Sequence, residues 1–194
     1  MTGATQKIYL IRHGETEWSR SGKHTGVTNV PLTEQGRKTA RLLQPALTRE
    51  NFELVLTSPL QRARQTCELA GLEKGATVEP DLMEWNYGIY EGLTTEQIQR
   101  ERPGWSLFHD GCSGGEMPAQ VAARADRVLA KVRANEGNVA LFAHGHILRV
   151  IAARWLDHPP SFGERLLLDT ATLSVLGYYY GSPALKIWNA PLVV

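Results

Sequence analysis

Cysteine is scarce. The chain of 194 residues carries two, Cys67 and Cys112. Two thiols so far apart exclude a disulfide framework and a cysteine-based zinc site. Cys67 falls in an apolar helical pattern and reads as a buried free thiol. Excess charge is missing as well. There are 21 lysines and arginines against 20 aspartates and glutamates, a formal net charge of +1. That leaves no electrostatic footprint for nucleic acid or an anionic membrane. No apolar run is long enough to span a membrane, and the opening stretch from Met1 to Gln6 has no signal-peptide core. A cytoplasmic protein with no nucleic-acid and no membrane partner is expected. Repeats, low-complexity stretches and an interdomain linker are also lacking. What remains is an ordinary globular balance, 42% hydrophobic and 21% charged. The length suits one domain, spanning 1–194, with a substantial core.

Apolar runs alternate with helical patterns. Lys7 to Ile11 reads as a strand buried on both faces. Pro31 and Gly36 bracket a helix start near Thr33, and Pro45 is expected to shorten or kink that helix. Phe52 to Leu56 reads as a second strand. Ser58 then stands as an N-cap, with Pro59 as the first helical residue. Leu60, Ala63, Cys67 and Ala70 form the stripe of that helix. Ala76 to Glu79 is a weak strand, Asp81 to Gly92 is irregular, and Thr94 to Arg102 is a short helix. After a glycine-rich loop from Asp110 to Pro118, an amphipathic helix presents Val121, Ala125, Val128, Leu129 and Val132 on one face, and Gly137 is expected to end it. Val139 to Ala143 is a strand, Ile147 to Leu156 a helix, and Leu173 to Tyr180 and Leu185 to Trp188 are closing strands. This order predicts a single three-layer α/β domain with a mostly parallel central sheet and helices on both faces.

In such sheets, ligands bind beyond the carboxyl ends of the strands. Three exits deliver basic side chains to one edge. The first strand leaves into Arg12-His13-Gly14, the second into Ser58-Pro59-Leu60-Gln61-Arg62, and the late strand into His144-Gly145-His146. Cations gathered there, beside helix N-termini, make an anion site. Arginine grips phosphate oxygens in pairs, and an imidazole can accept a phosphoryl group. His144 and His146 also have a spacing found in some zinc sites. No carboxylate cluster or cysteine pair accompanies them, so neither metal nor cofactor is expected.

The run Arg12-His13-Gly14-Glu15-Thr16 resembles the signature of the histidine phosphatase superfamily, the phosphoglycerate mutase-like proteins. Ser58 to Thr66 resembles the second arginine motif of that family. Glu84 with Tyr87-Gly88-Ile89-Tyr90-Glu91-Gly92 resembles its acid segment, and His144-Gly145 its second histidine motif. The four motifs, in order, cover nearly the whole chain. The resemblance implies that His13 is the nucleophile and that Arg12, Arg62 and His144 surround the phosphoryl oxygens. Glu84 is implied as proton donor to the leaving oxygen, so its carboxyl should be raised by burial and a nearby phosphate. Gly14 should leave room for a backbone carbonyl on the other His13 nitrogen. Of the competing carboxylates, Glu15 is expected to brace the arginines and Glu91 to support the loop.

The superfamily contains phosphatases and mutases. Mutases carry a longer insertion between the acid and the second histidine, a covering tail, and a basic residue after the acid. Here that stretch is compact, Trp85 follows the acid, and the chain ends at Leu192-Val193-Val194 without a basic tail. Ser19 stands where many mutases carry asparagine. Thr16-Glu17-Trp18-Ser19, Thr25-Gly26, Glu84-Trp85-Asn86-Tyr87-Gly88 and Asp110-Gly111-Cys112 resemble a phosphatase branch that includes fungal sedoheptulose bisphosphatase and bacterial acid phosphatases. A metal-independent phosphomonoesterase acting on small phosphorylated substrates is therefore expected, with phosphoglycerate mutase as the alternative. A non-catalytic binding protein would have lost one of His13, Arg12, Arg62, Glu84 or His144, and all five are present. Expected substrate contacts are Ser19, His24, Thr25, Gly26, Tyr87, Gly145 and His146. Arg20 or Lys23 is a candidate for a second phosphate, and Trp85, Tyr87 and Trp105 for the pocket wall or the core. Oligomeric state stays open, a homodimer being one alternative.

Overall fold

The computed structural model describes residues 6–191; the expectations for the first residues and for the C-terminal tail fall outside that range. In chain order the elements are β1 (Ile8–Arg12), α1 (Glu17–Arg20), α2 (Glu34–Leu42), α3 (Gln44–Leu47), β2 (Phe52–Thr57) and α4 (Gln61–Leu69). They continue with β3 (Ala76–Val78), α5 (Thr95–Glu101), α6 (Leu107–Asp110), α7 (Pro118–Arg133), β4 (Asn138–Ala143), α8 (Gly145–Trp155), β5 (Leu173–Tyr179) and β6 (Ser182–Ala190). The strands form one six-stranded sheet in the order β3-β2-β4-β1-β5-β6. From β3 to β1 the neighbours run parallel, while β5 and β6 are added antiparallel.

Alternation along each strand divides the core into two. Ile8, Leu10, Leu56, Val139 and Leu141 face α7 and α8, where they meet Val121, Val128, Val132, Ile147, Ile151 and Trp155. Tyr9, Ile11, Val55, Ala140 and Phe142 face the other way, against Leu43, Leu47, Cys67 and Ala70. The sheet is therefore the middle layer of three, and the apolar runs read as strands are covered on both faces because helices lie on both. Cys67 is buried in the second cluster as a free thiol, and burial pushes its pKa up to about 12.

Several local expectations change. Thr33 does cap α2, its hydroxyl accepting from Gly36 N–H at 2.9 Å, and the break between α2 and α3 falls beside Pro45. Ser58 does not cap α4. That helix starts at Gln61 behind Leu60, and the Ser58 hydroxyl is turned toward His144 instead. Gly137 does not end α7, which stops at Arg133; the Gly137 N–H is bound by Glu53. The last strand is longer than its apolar residues suggest, because β5 pairs with it from Ser182 to Ala190. No helix among the described residues is long and apolar enough to cross a membrane.

Because β2, β4 and β1 are parallel neighbours, their C-terminal ends come out side by side. His13 N–H and Ser58 N–H both continue the ladder, bonding to Ala143 O at 3.0 Å and Phe142 O at 2.9 Å. Gly14 then passes against the start of α2. A side chain there would put its Cβ 2.4 Å from the Gly36 carbonyl oxygen, an overlap no rotamer relieves.

Candidate active site

His13 is 4% exposed at the exit of β1. Its Nδ1 lies 2.7 Å from the carbonyl oxygen of Gly14. A carbonyl only accepts, so Nδ1 carries the proton and Nε2 is left with a lone pair. Burial, then the charges of Arg62 and Arg12, hold the ring well below the usual histidine range. The ring is thereby held neutral.

Arg62 stands directly behind it. Its Nε–H is shared between His13 Nε2 at 3.3 Å and His144 Nδ1 at 3.1 Å. The other end is held by backbone carbonyls of the first loop. Nη1 donates to Thr28 O, and Nη2 to Thr25 O and Gly26 O, each at 2.9 Å. A buried guanidinium needs such saturation to exist in a core. The loop is secured in turn by Glu91, whose carboxylate accepts from Gly26 N–H and Thr28 N–H; at Gly26 a Cβ would sit 2.6 Å from it. Glu91 thus supports the loop. Glu15 does not brace an arginine; its carboxylate accepts from the Thr33 hydroxyl at 2.7 Å, tying the loop after β1 to the cap of α2.

Glu84 departs most from expectation. It is 6% exposed and accepts three backbone hydrogen bonds. Trp85 N–H lies at 2.9 Å, and His146 N–H and Ile147 N–H, in the first turn of α8, lie at 3.0 Å. Burial pushes the carboxyl up, but hydrogen bonding from the His146 side chain and from its N–H outweighs it and holds the group well below the usual carboxylate range. The first turn of a helix is an anion site in itself. These contacts favour the carboxylate; the protonated form expected from the sequence belongs to the moment when a substrate phosphate adds its charge.

A cavity of about 200 Å³ opens in front of His13, lined by Arg12, Ser19, Lys23, His24, Thr25, Glu84, Tyr87, Gly145, His146, Arg149 and Leu168, among others. Of the residues read as site contacts, Arg62, His144 and Gly26 lie behind this wall rather than in it. Trp85 and Trp105 belong to the core, with their indole N–H groups on Glu116 O and Gly111 O. Tyr87 keeps its proton, since burial and the charge of Glu84 push its pKa well up. The phenol oxygen lies 2.6 Å from His146 Nδ1 and so orients that ring. His24 packs on Tyr87 with ring centroids 4.7 Å apart, and burial, then His146, lower its pKa to about 4.

Arg149 was passed over in the sequence, and Ser58 was read there as a helix cap. Arg149 enters the wall one turn beyond His146 on α8, a spacing that puts both on one helix face. Its Nε donates to Gly163 O and Nη2 to Glu164 O, and its guanidinium lies 4.6 Å over the Phe108 ring. Ser58 follows β2 as His144 follows the neighbouring β4, and that parallel was the available signal. Among the described residues, no group of three or more His, Cys, Asp or Glu side chains is placed to hold a metal ion.

Comparison with known proteins agrees with this geometry. The chain is 40% identical over 185 residues to an acid phosphatase of Mycobacterium tuberculosis, covering 93% of this chain and 91% of that one. It is 36% identical over 192 residues to a sedoheptulose 1,7-bisphosphatase of Saccharomyces cerevisiae, covering 80% and 69%. The solved structure of a Mycobacterium tuberculosis open reading frame superposes with a TM-score of 0.93 at 37% identity, covering 97% of this chain and all of that one (100%). The family described as histidine phosphatase superfamily (branch 1) matches residues 8–191. With its neutral imidazole at the first strand exit, its buried arginine and its second histidine in place, the chain belongs to the histidine phosphatase superfamily.

Proposed function

We propose that the protein hydrolyses small phosphomonoesters, sugar phosphates and bisphosphates foremost, through a phosphohistidine at His13 and without a metal ion. The observation that carries this reading is the His13 tautomer. Gly14 O accepts the hydrogen bond from Nδ1–H, which leaves Nε2 as the attacking nitrogen. In the first step Nε2 forms a bond to phosphorus, the ester P–O bond breaks, and the leaving oxygen receives a proton from Glu84. In the second, water attacks phosphorus, the Glu84 carboxylate takes a proton from it, and the P–N bond breaks to release phosphate. Charge on the transferring group is met by Arg12, whose Nε is buried without a hydrogen-bond partner among the described residues, and by the Arg62 and His144 pair behind His13.

Of the two cations read from the sequence for the substrate's far end, Lys23 lines the cavity and Arg20 does not. Arg20 is exposed and paired with Glu17. Lys23 sits at the mouth with its Nζ 5.8 Å over the Trp18 ring, and Arg149 lies deeper in the wall. Lys23 and Arg149 are the two cations lining the cavity that would meet a second phosphate or another anionic group there.

The separating assay uses p-nitrophenyl phosphate and 3-phosphoglycerate, each with and without EDTA. Phosphate release unaffected by EDTA is expected from p-nitrophenyl phosphate. Isomerisation of the phosphoglycerate without net phosphate release would instead mark a mutase. Arg149→Ala should lower kcat/KM for a sugar bisphosphate by roughly 10- to 100-fold, the worth of one charge-assisted contact. With p-nitrophenyl phosphate it should change kcat/KM by less than about 3-fold on the same reasoning. Equal losses on both substrates would remove Arg149 from the role of second-anion contact.

A further inference from the structure

Ser58 is fully buried, 0% exposed, at the exit of β2. Its hydroxyl oxygen lies 2.7 Å from His144 Nε2 and accepts Leu60 N–H at 3.3 Å. On the opposite side of the ring, Arg62 Nε–H lies 3.1 Å from Nδ1. A guanidinium N–H can only donate. Nδ1 therefore holds a lone pair, and the proton of the neutral ring sits on Nε2, directed at Ser58.

The titratable and charged groups facing this ring are Arg62 from α4, His13 and Arg12 from the exit of β1, and Glu84. Burial, then the charges of Arg62 and Arg12, keep the imidazole neutral, while Glu84 pulls the other way. A phosphate dianion beside His13 adds an opposite charge at short range and reverses that balance. Nε2 already carries a proton, so the second one goes to Nδ1. There it meets Arg62 Nε–H, donor against donor, and an oxygen of the anion is the acceptor that satisfies both.

On the reading of this pocket as a phosphate site, we propose that Ser58 is a positioning residue: it holds His144 in the Nε2–H form, so that the arriving phosphate loads a proton onto Nδ1 and turns His144 into a second N–H donor beside Arg62. The proton comes from solvent, and the N–H bond is the only bond that forms. Phosphate capture is thereby coupled to proton uptake.

Sulfate is the probe, because it stays a dianion across the neutral range and any proton taken up must go to the protein. In protein labelled with ¹⁵N-histidine, with the His144 signals assigned through His144→Gln, NMR should show Nδ1 unprotonated without sulfate and both nitrogens protonated with it. Sulfate affinity should fall about 10-fold per pH unit above the transition, the slope of one linked proton. Ser58→Ala should weaken sulfate by roughly 10- to 100-fold, the worth of a hydrogen bond to a charged group, and flatten the slope. Ser58→Thr, which keeps a hydroxyl, should restore it. The proposal is overturned if sulfate shifts the His13 signals while His144 stays neutral, or if Ser58→Ala keeps the wild-type slope. Should the substituted proteins not fold, the wild-type spectra decide alone. Sulfate that moves no histidine signal would sink the phosphate-site reading itself, a different result from either.

Discussion

Replacing His13 by alanine is expected to lower kcat/KM for every phosphomonoester by roughly 10⁴-fold or more, because the residual site can hold the phosphate but has no atom to receive it. The stronger test is covalent. Wild-type enzyme quenched during turnover of a ³²P-labelled ester should carry acid-labile, base-stable label, and His13→Ala should carry none. Label that survives in the variant would refute His13 as nucleophile. The effect should not come from unfolding. The side chain makes one backbone hydrogen bond, to the adjacent Gly14, and accepts a shared one from Arg62. A denaturation midpoint close to wild type is the matching control.

Glu84→Gln should have the second largest effect, and its size should depend on the leaving group. A sugar alkoxide needs a proton as it leaves, so kcat/KM for a sugar phosphate should fall about 10²- to 10⁴-fold. Nitrophenolate leaves without one, so the first step with p-nitrophenyl phosphate should be nearly spared. The second step lacks its base in the variant, and phosphohistidine should accumulate as a burst of nitrophenol followed by slow turnover. A uniform loss on both substrates, with no burst, would contradict the assignment.

The pH dependence follows from the same carboxylate. The structure holds Glu84 ionised, with its pKa well below the ordinary range. The proton it delivers must then arrive with the substrate, as the monoanion of a phosphate ester whose second pKa is about 6. The alkaline limb of kcat/KM should thus fall as pH rises through that value, and Glu84→Gln should flatten it for sugar phosphates. For stability the sign is the reverse. A depressed carboxyl contributes stability above its unfolded pKa and loses it as pH falls through the folded one. The three N–H bonds that depress it also resist substitution. A glutamine NH₂ in place of Oε2 would face the His146 N–H, donor against donor, at a cost of about 1–3 kcal/mol.

Fold class and the strand-exit positions of His13 and His144 were legible because their signals are local. The two-sided apolar runs at Ile8 to Ile11 and Val139 to Ala143 and the stripe from Val121 to Val132 each lie within one element, and the packing that rewards them repeats along the chain. His13 and His144 were placed at strand exits by counting from those runs. Ser58 was misread for a related reason. A serine followed by proline at a helix start has a strong local meaning, and only the neighbouring β4 exit, brought alongside by the sheet, gives its hydroxyl a different partner.

By itself, the sequence determined which chemistry is available: an imidazole and two arginines at adjoining strand exits, a carboxylate and a second histidine, all on one α/β domain. Tertiary structure alone decided the state of each group. Glu84 is ionised by N–H groups that lie as far as 63 residues away in the chain. Arg62 stands behind His13 because carbonyls of the Thr25 to Thr28 loop claim its other nitrogens. Arg149, not Arg20, reaches the pocket wall. Residue type sets which protons and charges a site holds, but protonation, tautomer and reach depend on distances of a few ångströms between segments remote in sequence. Folding sets those distances. Arg12-His13-Gly14 supplies an imidazole, and Gly14 O and Arg62 Nε decide which of its nitrogens carries the proton and which the lone pair.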